Sequence, residues 1–405
     1  MKAINIKMKK ILRIINRFNL GGPIYNAAYL TKYLSPEYET LLIGGEKDED
    51  EDSSEFILNQ LGVNYLKMPE MQRTINAFQD LKAYNRIKQI IKEFKPDIVH
   101  THASKSGMLG RKAAFSCNVP IVVHTFHGHV FHSYFNSLKT NAFIKIEHHL
   151  AKRTTGIIAI SALQKIDLSE KYKIAEPSKF TVIPLGFDLL KFQENQLEKR
   201  ETFRKENHLD DDEIAIGIVG RLVPIKNHSL FIEAFAKVKQ KTGKKIRGFI
   251  IGDGQCRKEI EDLAHYFNLI ISPNGSTTLK PDIRFSSWIH KVDYAYAGLD
   301  IVALTSNNEG TPVSLIEAQA SGKPIISTNV GGIEDIVIPN ETALLTKCGD
   351  KIAFESNLEK LILKPELRIE LSKKGRNFVN KKFNYTRLID DTAKYYEKLF
   401  REKKL

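Results

Sequence analysis

Short apolar runs rich in Ile and Val alternate with longer helix-like segments along almost the whole chain of 405 residues. The runs cover residues 11–15, 40–43, 97–99, 120–123, 156–160 and 180–183 in the first half, and 214–219, 248–251, 283–286, 300–304 and 324–327 in the second. The segments typical of helices include residues 75–94, 107–116, 141–152 and 162–172. This order predicts an α/β protein whose parallel sheets are covered by helices on both faces.

The alternation pauses once, over the polar and charged residues 191–209. A chain of this length has room for two or three domains at roughly 150 residues each. We therefore expect a doubly wound domain at 1–190, a second at 191–383, and an amphipathic helix at 384–405 that packs on the first domain. The apolar side of that helix consists of Tyr395, Tyr396, Leu399 and Phe400.

The formal charge of +13 predicts a polyanionic partner: nucleic acid, an anionic membrane or a phosphorylated small molecule. Residues 81–180 hold sixteen Lys and Arg against six Asp and Glu, so this stretch contributes +10. Its basic residues are interleaved with Phe131, Tyr134, Phe135 and Phe143, which suits an anionic membrane surface, with a solvated face as the alternative. Nucleic acid is disfavoured because no signature of an RNA-binding or helix-turn-helix module occurs.

The cysteine pattern and the start of the chain bear on location. Three distant cysteines favour neither a disulfide framework nor a thiolate zinc site. The apolar stretch after the first lysines is interrupted by Arg13, Asn16 and Arg17, so it fails as a signal peptide. We expect a cytoplasmic protein whose membrane contact, if any, is peripheral and at the inner face of the plasma membrane.

Polar and glycine-rich loops follow the predicted strands, where open parallel sheets bind their ligands. Gly21 and Gly22 come after the first strand, and form either a tight turn or a close approach to phosphate at a helix start. Arg221 and Lys226 share a loop ahead of a helix that starts near Asn227. Two cations there suit a diphosphate whose charge grows on leaving, although two solvated cations are the alternative.

A third loop carries Glu309, eight residues before Glu317. Thr311 and Pro312 predict an N-cap followed by proline at the first helical position. Glu309 would then precede the helix and Glu317 would lie about two turns in, roughly 9 Å further along. At that separation the two carboxylates cannot share a proton or a metal, but they suit two hydroxyl-bearing parts of one extended ligand.

The start of that predicted helix is a candidate anion site. The backbone N–H groups of Val313 and Ser314 have no acceptor within a helix that begins there, so they face any anion nearby. Together with Gly310 and Thr311, they form the candidate binding segment.

Histidines cluster at 100/102, 124/127/129/132 and 148/149. No cysteine accompanies them and no His-Glu-x-x-His spacing occurs, so we expect no metal site. His127 and Gly128, directly after a predicted strand, fit better as a polar donor at a cleft.

These motifs together resemble the retaining glycosyltransferases of family four over residues 9–380. In the second half the matching segments are 219–228, 252–254, 309–324 and 330–332. In the first half residues 95–102, 105–107 and 125–131 resemble the subset that builds bacterial surface polysaccharides. Pro23 departs from the pattern, since many members carry Ala, Val or another small residue there.

The resemblance implies the GT-B fold, with two facing Rossmann-like domains and a final helix that returns to the N-terminal one. It implies transfer of a hexosyl or N-acetylhexosaminyl group from a nucleotide-sugar, taken here as a UDP-sugar, to a lipid-diphosphate or glycan acceptor. Such enzymes retain anomeric configuration and need neither metal nor cofactor. They are thought to use a same-face displacement.

The resemblance also assigns roles to the candidate residues. Arg221 and Lys226 would hold the donor diphosphate, Glu309 the sugar hydroxyls and Glu317 the ribose hydroxyls. His127 would donate towards the transferred sugar. The pair at residues 21–22 would close over the phosphates from the opposite domain.

Two other functions remain open. A GT-B epimerase or hydrolase would need a catalytic carboxylate set and would consume the nucleotide-sugar without an acceptor. A basic nucleic-acid-binding protein would show salt-sensitive binding to DNA or RNA.

Overall fold

A computed structural model describes residues 8–19, 22–34, 37–48, 53–128, 137–272 and 280–405, with 137–139 described by backbone alone. The chain divides into two compact units. Unit 1 comprises Met1–Phe187 and Phe383–Leu405, and unit 2 comprises Asp188–Lys382.

Unit 1 contains a parallel sheet whose described strands run in the order β3-β2-β1-β4-β5-β6-β7. The strands are β1 Lys9–Arg17, β2 Tyr38–Gly45, β3 Tyr65–Lys67, β4 Ile98–His102, β5 Ile121–Phe126, β6 Gly156–Ala159 and β7 Phe180–Val182. The helices between them are α1 Gly22–Tyr33, α2 Glu55–Leu61, α3 Ala77–Phe94, α4 Ser104–Ser116, α5 Ser137–Arg153 and α6 Ala162–Ile166.

Both faces of this sheet are buried, which explains its continuous apolar runs. Ile11 of β1 packs in a cluster with Leu30 of α1, whereas Leu12 packs in another with Ile87 of α3. Successive side chains of a strand point to opposite faces, so an unbroken apolar run is expected only where helices cover both.

Unit 2 repeats the plan, with the described strands in the order β10-β11-β9-β8-β12-β13-β14, again all parallel. The strands are β8 Ile214–Val219, β9 Ile246–Ile251, β10 Ile271–Ser272, β11 Ile283–Ser286, β12 Ile301–Leu304, β13 Ile325–Asn329 and β14 Ala343–Lys347. The helices are α7 Gln196–Glu206, α8 His228–Thr242, α9 Arg257–Tyr266, α10 Val292–Gly298, α11 Val313–Ala320, α12 Ile333–Ile336, α13 Lys351–Leu363 and α14 Pro365–Phe383.

The last helix, α15 (Tyr385–Lys403), belongs to unit 1, as the sequence predicts for the C-terminal segment. Its apolar side is buried through Tyr395, Tyr396, Leu399 and Phe400. The N-cap Asn384 accepts a hydrogen bond from the N–H of Thr386, which fixes the start of the helix.

The doubly wound α/β class is confirmed, and every predicted strand overlaps an observed one. Three strands were missed: β3, β10 and β14. All three lie at sheet edges, where a strand is short and needs no unbroken apolar run. The predicted helix at 162–172 ends as an α-helix at Ile166 and continues as the π-helical turn Asp167–Lys171.

The predicted membrane contact of residues 81–180 relies on four aromatic side chains among its basic residues. Phe143 is partly buried and packs against an apolar cluster of unit 1, while Phe131, Tyr134 and Phe135 lie outside the described residues. Of the helices that the structure describes, none has the length and apolar character needed to cross a bilayer.

The strand orders define one switch point in each sheet, where the winding direction reverses. In unit 1 it lies between β1 and β4, and in unit 2 between β8 and β12. Ligands of open α/β sheets bind beyond the carboxyl ends of the strands at such points. A site is therefore expected in the loops after these four strands.

Candidate active site

Lys226 and Glu309 form an ion pair at the switch point of unit 2. The distance from Lys226 Nζ to Glu309 Oε1 is 2.5 Å, and the side chains are 20 % and 9 % exposed. Lys226 ends the 3-10 turn Pro224–Lys226 after β8, and Glu309 lies in the loop after β12. The structure thus brings together two predicted site residues from neighbouring strand ends.

Hydrogen bonds join the two loops beneath this pair. The Thr305 hydroxyl donates to the Lys226 carbonyl at 3.0 Å, and the N–H of Asn307 donates to the Ile225 carbonyl at 2.8 Å. These bonds fix the backbone on either side of the ion pair, so its geometry does not depend on the side chains alone.

Glu309 is held by one carboxylate oxygen. Its Oε1 accepts from Lys226 and also from the hydroxyl of Ser306, at 2.5 Å. Among the described residues, Oε2 accepts no hydrogen bond. The carboxylate is thereby oriented while one oxygen is left to accept from a ligand.

A third loop, after β13, packs against the backbone of Glu309 and Gly310. A Cβ on Gly331 (φ +54°) would lie 1.9 Å from the Glu309 carbonyl oxygen, and one on Gly332 would lie 2.0 Å from that of Gly310. The N–H of Gly332 donates to the Glu309 carbonyl at 3.1 Å. Glycine is required at both positions because the two backbones touch.

The helix after Glu309 begins one residue later than predicted. Its first residue is Val313, and Pro312 is the N-cap, with extended backbone and no capping by a side chain. Thr311 therefore does not cap the helix, because the extended conformation falls on the proline instead. Val313 and Ser314 occupy the first two helical positions, where backbone N–H groups have no acceptor within the helix.

Glu317 lies just over one turn into α11, not about two turns as predicted; the later helix start accounts for one residue of this difference, about 1.5 Å, and the prediction overcounted the rest. It is four residues beyond Val313, about 6 Å along the axis. Burial raises the pKa of Glu317 to about 7, and the Lys191 ammonium and the Tyr296 hydroxyl oppose the shift. That the two glutamates serve separate parts of one ligand stays a prediction.

Arg221 stands apart from the other cation of its loop. Its side chain is exposed, and among the described residues its guanidinium makes no ion pair or hydrogen bond. The loop around it is held against the one after β9, since a Cβ on Gly252 would lie 2.0 Å from the Gly220 carbonyl oxygen. Within the described ranges the guanidinium thus has no partner, and its loop backbone is held in place by the neighbouring one.

The glycine pair of unit 1 is described in part. Gly22 is the first residue of α1, and a Cβ there would meet no heavy atom within 4 Å. Gly21 lies outside the described residues, as do His129 and His132.

His127 follows β5 and is hydrogen-bonded to a second histidine. His102 Nδ1 lies 2.8 Å from His127 Nε2, and the two ring centroids are 5.1 Å apart. Burial lowers the pKa of His127 to about 4 and holds that of His102 well below its usual range. Both rings are therefore neutral near pH 7.

Behind them lies a buried polar row that reaches α15. His100 Nδ1 is 2.5 Å from the Tyr396 hydroxyl, and His100 Nε2 is 2.7 Å from the Thr125 hydroxyl. Arg13 donates to the Tyr396 hydroxyl at 3.2 Å. These side chains come from β1, β4, β5 and α15.

Ser306 was not singled out from the sequence, and His102 was named only as a member of a histidine cluster, without its contact to His127. Two signals were available for the histidines: residues 100 and 102 alternate on one strand and so share a face, and His127 follows the neighbouring strand.

Within the described ranges, no group of three or more His, Cys, Asp or Glu is arranged to hold a metal ion.

Comparison with known proteins relates both halves of the chain to glycosyltransferase families. The model of "Glycosyltransferase Family 4" matches residues 27–190, and that of "Glycosyl transferases group 1" matches residues 199–378. The UDP-Gal:α-D-GlcNAc-diphosphoundecaprenol α-1,3-galactosyltransferase of Escherichia coli is 31 % identical over 81 % of this chain and 82 % of its own. The capsular polysaccharide biosynthesis glycosyltransferase CapM of Staphylococcus aureus is 28 % identical over 82 % of this chain and 84 % of its own.

Solved structures show the same fold. The Anabaena protein HepE, in complex with UDP, superposes with a TM-score of 0.80 over 96 % of this chain and 100 % of its own, at 17 % identity. The lipopolysaccharide glycosyltransferase WaaG superposes with a TM-score of 0.70 over 95 % of this chain and 98 % of its own, also at 17 % identity. With the sequence relationship to the Escherichia coli enzyme, these findings establish that the chain belongs to the GT-B glycosyltransferases of family four.

Proposed function

We propose that this chain transfers a hexosyl or N-acetylhexosaminyl group from a UDP-sugar to a lipid-diphosphate or glycan acceptor, with retention of configuration and without a metal ion. The observation that carries the proposal is the ion pair of Lys226 and Glu309 beside the start of α11. The names of the Escherichia coli and Staphylococcus aureus relatives support a UDP-sugar donor, a lipid-linked acceptor and a role in surface-polysaccharide synthesis.

The donor would be held by charges that act on its leaving group. As the bond from the anomeric carbon to the phosphate oxygen breaks, negative charge grows on the diphosphate. The cations of Arg221 and Lys226, with the N–H groups at residues 313 and 314, stabilise that charge without reorganising. Gly310 and Thr311 let the phosphates approach the helix start.

Three side chains would hold the rest of the donor. Oε2 of Glu309 accepts from the sugar hydroxyls, Glu317 accepts from the ribose hydroxyls, and His127 donates to the transferred sugar. In a same-face displacement, the acceptor oxygen bonds to the anomeric carbon on the face from which the phosphate departs. The departing phosphate oxygen takes the acceptor proton, so no protein carboxylate is needed as a base.

The decisive experiment measures nucleotide binding and then transfer by the full chain. UDP is expected to raise the melting temperature more than GDP or ADP. Transfer from UDP-hexose and UDP-N-acetylhexosamine into a lipid extract is then followed with EDTA present, and the product linkage is read by NMR. An inverted product, or activity lost in EDTA, contradicts the mechanism. Consumption of the donor without any acceptor identifies an epimerase or hydrolase.

The location proposed for this reaction is the anionic inner face of the plasma membrane. Three apolar side chains just before and within the first turns of α3 are exposed: Ile75 by 77 %, Phe78 by 65 % and Leu81 by 58 %. Lys82, whose ammonium lies 4.3 Å from the Phe78 ring centroid, and Arg86 follow on the helix. They stand about 6 and 12 Å behind Phe78 along the axis.

That spacing fits a lipid surface. Apolar side chains enter about 5–10 Å into the boundary of headgroups and acyl chains, and cations behind them meet anionic headgroups. We expect Phe78→Ser with Leu81→Ser to weaken sedimentation with phosphatidylglycerol vesicles, whereas Ile369→Ser, at an exposed isoleucine of α14, leaves it unchanged. Equal sedimentation of both variants, or equal binding to neutral vesicles, argues against docking. Salt-sensitive binding to RNA or DNA would indicate a nucleic-acid partner instead.

A further inference from the structure

Ala103, the residue between β4 and α4, has a backbone conformation that disfavours a side chain. Its φ is 67° and its ψ is 168°. Glycine adopts this region freely, whereas a residue with a Cβ is strained there. Such conformations persist only where the surrounding structure holds them, and they concentrate at functional sites. Ala103 directly follows His102, whose ring contacts His127.

The close packing of α4 on the sheet accounts for the sharp turn at Ala103. A Cβ on Gly107 would lie 2.5 Å from Cε1 of His124. One on Gly110 would lie 2.7 Å from Cγ2 of Thr101. Both glycines therefore let the helix backbone approach β4 and β5 directly. Because β4 ends at residue 102 and α4 begins at residue 104, the chain has a single residue in which to turn.

Lys105 fastens the start of α4 to the start of α3. Its ammonium lies 2.5 Å from Oδ1 of Asp80, in the first turn of α3, and donates to the Thr74 carbonyl at 2.5 Å. The Lys105 and Asp80 side chains are 11 % and 12 % exposed, so salt and water screen this ion pair weakly. The start of α3 is itself fixed, because the Asn76 side chain accepts from the N–H groups of residues 78 and 79.

The strained turn and the histidine contact share one stretch of backbone. The Ser106 hydroxyl donates to the His102 carbonyl. The N–H of Gly107 donates to the Ala103 carbonyl at 2.9 Å. Nδ1 of His102 lies 2.8 Å from Nε2 of His127. If Ala103 relaxed to an unstrained conformation, the first turn of α4 and the backbone of His102 would move together, and the contact between the two rings would change.

We propose that Lys105 is a positioning residue for the reaction. By holding the start of α4 against α3, it keeps Ala103 in the strained conformation, and that conformation fixes His102 against His127. The inference rests on the proposed function for the role of His127 in transfer. The link between Lys105 and Ala103 stands on the contacts within unit 1 and can be tested without substrate.

Chemical denaturation of the full chain tests that link. Ala103→Gly is expected to raise the denaturation midpoint, because glycine adopts this conformation without steric strain. In Lys105→Met, where the turn is free to relax, adding Ala103→Gly is expected to raise the midpoint less. An equal rise in both backgrounds, or no rise in either, overturns the link between the two residues.

Turnover tests the consequence for the site. Lys105→Met is expected to lower kcat about tenfold, since strain released at one residue can shift the loop population by such a factor. The Kd for UDP should stay within about twofold, because UDP lacks the sugar that His127 would contact. Adding Ala103→Gly should restore most of kcat, because glycine makes the required turn without the ion pair.

The matched control is Lys112→Met, at an exposed lysine of the same helix, which should leave kcat unchanged. An unchanged kcat in folded Lys105→Met overturns the positioning role. So does a lack of recovery with Ala103→Gly, or a loss of UDP affinity as large as the loss of rate.

Asp80→Asn reaches the same turn from the other side, because it removes the charge that holds the ammonium and leaves the loop unaltered. It should lower kcat and recover with Ala103→Gly as Lys105→Met does, and it decides the question if Lys105→Met does not fold. A protein that shows the expected coupling of stabilities but transfers no sugar from any donor contradicts the proposed function. Sugar transfer at an unchanged rate in folded Asp80→Asn contradicts this inference alone.

Discussion

Lys226 and Glu309 contact each other at 2.5 Å although 83 residues separate them in the chain. The pair is partly buried, and one carboxylate oxygen carries the whole contact. Each charge therefore depends on the other for its position. A diphosphate bound as proposed would meet at Lys226 a cation whose direction is already set by Glu309.

Removal of either member of this pair is expected to abolish transfer. Lys226→Ala loses the charge that stabilises the leaving diphosphate, and Glu309→Ala loses both the sugar acceptor and the anchor of Lys226. We expect a loss of at least about 100-fold in kcat/KM for each. Both residues lie in loops, so the fold should stay intact in both variants.

The control for that experiment is Lys237→Ala, which breaks an exposed ion pair with Glu355 on the surface of the same unit. Its activity should be unchanged, because exposed ion pairs contribute little. Rates of the unchanged protein in purified Lys226→Ala or Glu309→Ala would refute the site.

Substitution of His127 should separate turnover from nucleotide binding. In the proposed mechanism, His127→Ala removes a donor to the sugar and no contact with the uridine or the diphosphate. We expect kcat to fall while the Kd for UDP, measured by calorimetry, stays within about twofold, since a contact made to the sugar alone contributes nothing to UDP. If UDP affinity falls as steeply as the rate, His127 has another role.

Gly331→Ala is expected to lower stability and displace Glu309. The added methyl would combine a φ of +54° with a collision against the Glu309 carbonyl. Gly349→Ala is the matched control, because its φ of +85° is strained but nothing lies within 4 Å. Strain alone costs about 1–3 kcal/mol. Chemical denaturation should show a larger loss in the free energy of unfolding for Gly331→Ala than for Gly349→Ala. Equal losses would show that the collision is relieved at little cost in free energy.

The raised pKa of Glu317 predicts a pH dependence of donor binding. The carboxyl group is protonated as pH falls through about 7, and a neutral group accepts less strongly from ribose hydroxyls. The Kd for UDP should therefore rise as the pH is lowered from 8 to 6. In Glu317→Gln the affinity for UDP should be lower at every pH in this range, and the Kd should lack this pH-dependent change.

Stability should change in the opposite sense. Between the usual pKa of 4.5 and about 7, the folded state binds more protons at Glu317 than the unfolded state, so stability falls as pH rises through that window. Denaturation of Glu317→Gln should lack this contribution. A UDP affinity with the same pH profile in both proteins would exclude Glu317 from ribose binding.

Tyr396→Phe should weaken the attachment of α15 to unit 1. The hydroxyl bonds to both Arg13 and His100, and its loss leaves buried polar groups unpaired. We expect a cost of about 1–3 kcal/mol in the free energy of unfolding. Tyr266→Phe, at a side chain that is 78 % exposed, should cost nothing measurable. Equal stability of the two variants would show that the buried row adjusts without the hydroxyl.

The pattern of apolar runs was sufficient to predict the sheets, because a strand that is buried on both faces has an unbroken apolar run in its own sequence. Edge strands such as Ala343–Lys347 were missed because their apolar runs are shorter or interrupted. The start of α11 was misplaced by one residue, because proline at 312 is compatible with the N-cap as well as with the first helical position.

What the sequence by itself determined is local: the strands, the final amphipathic helix, and the polar loops that contain Lys226, Glu309 and His127. Which of those loops meet was decided by the tertiary structure. Lys226 reaches Glu309 because β8 lies beside β12, and Tyr396 reaches His100 across 296 residues because α15 returns to unit 1. Hydrophobic periodicity records which face of a segment is buried, but not which segment covers it. The pairing of distant side chains therefore follows from strand order and packing.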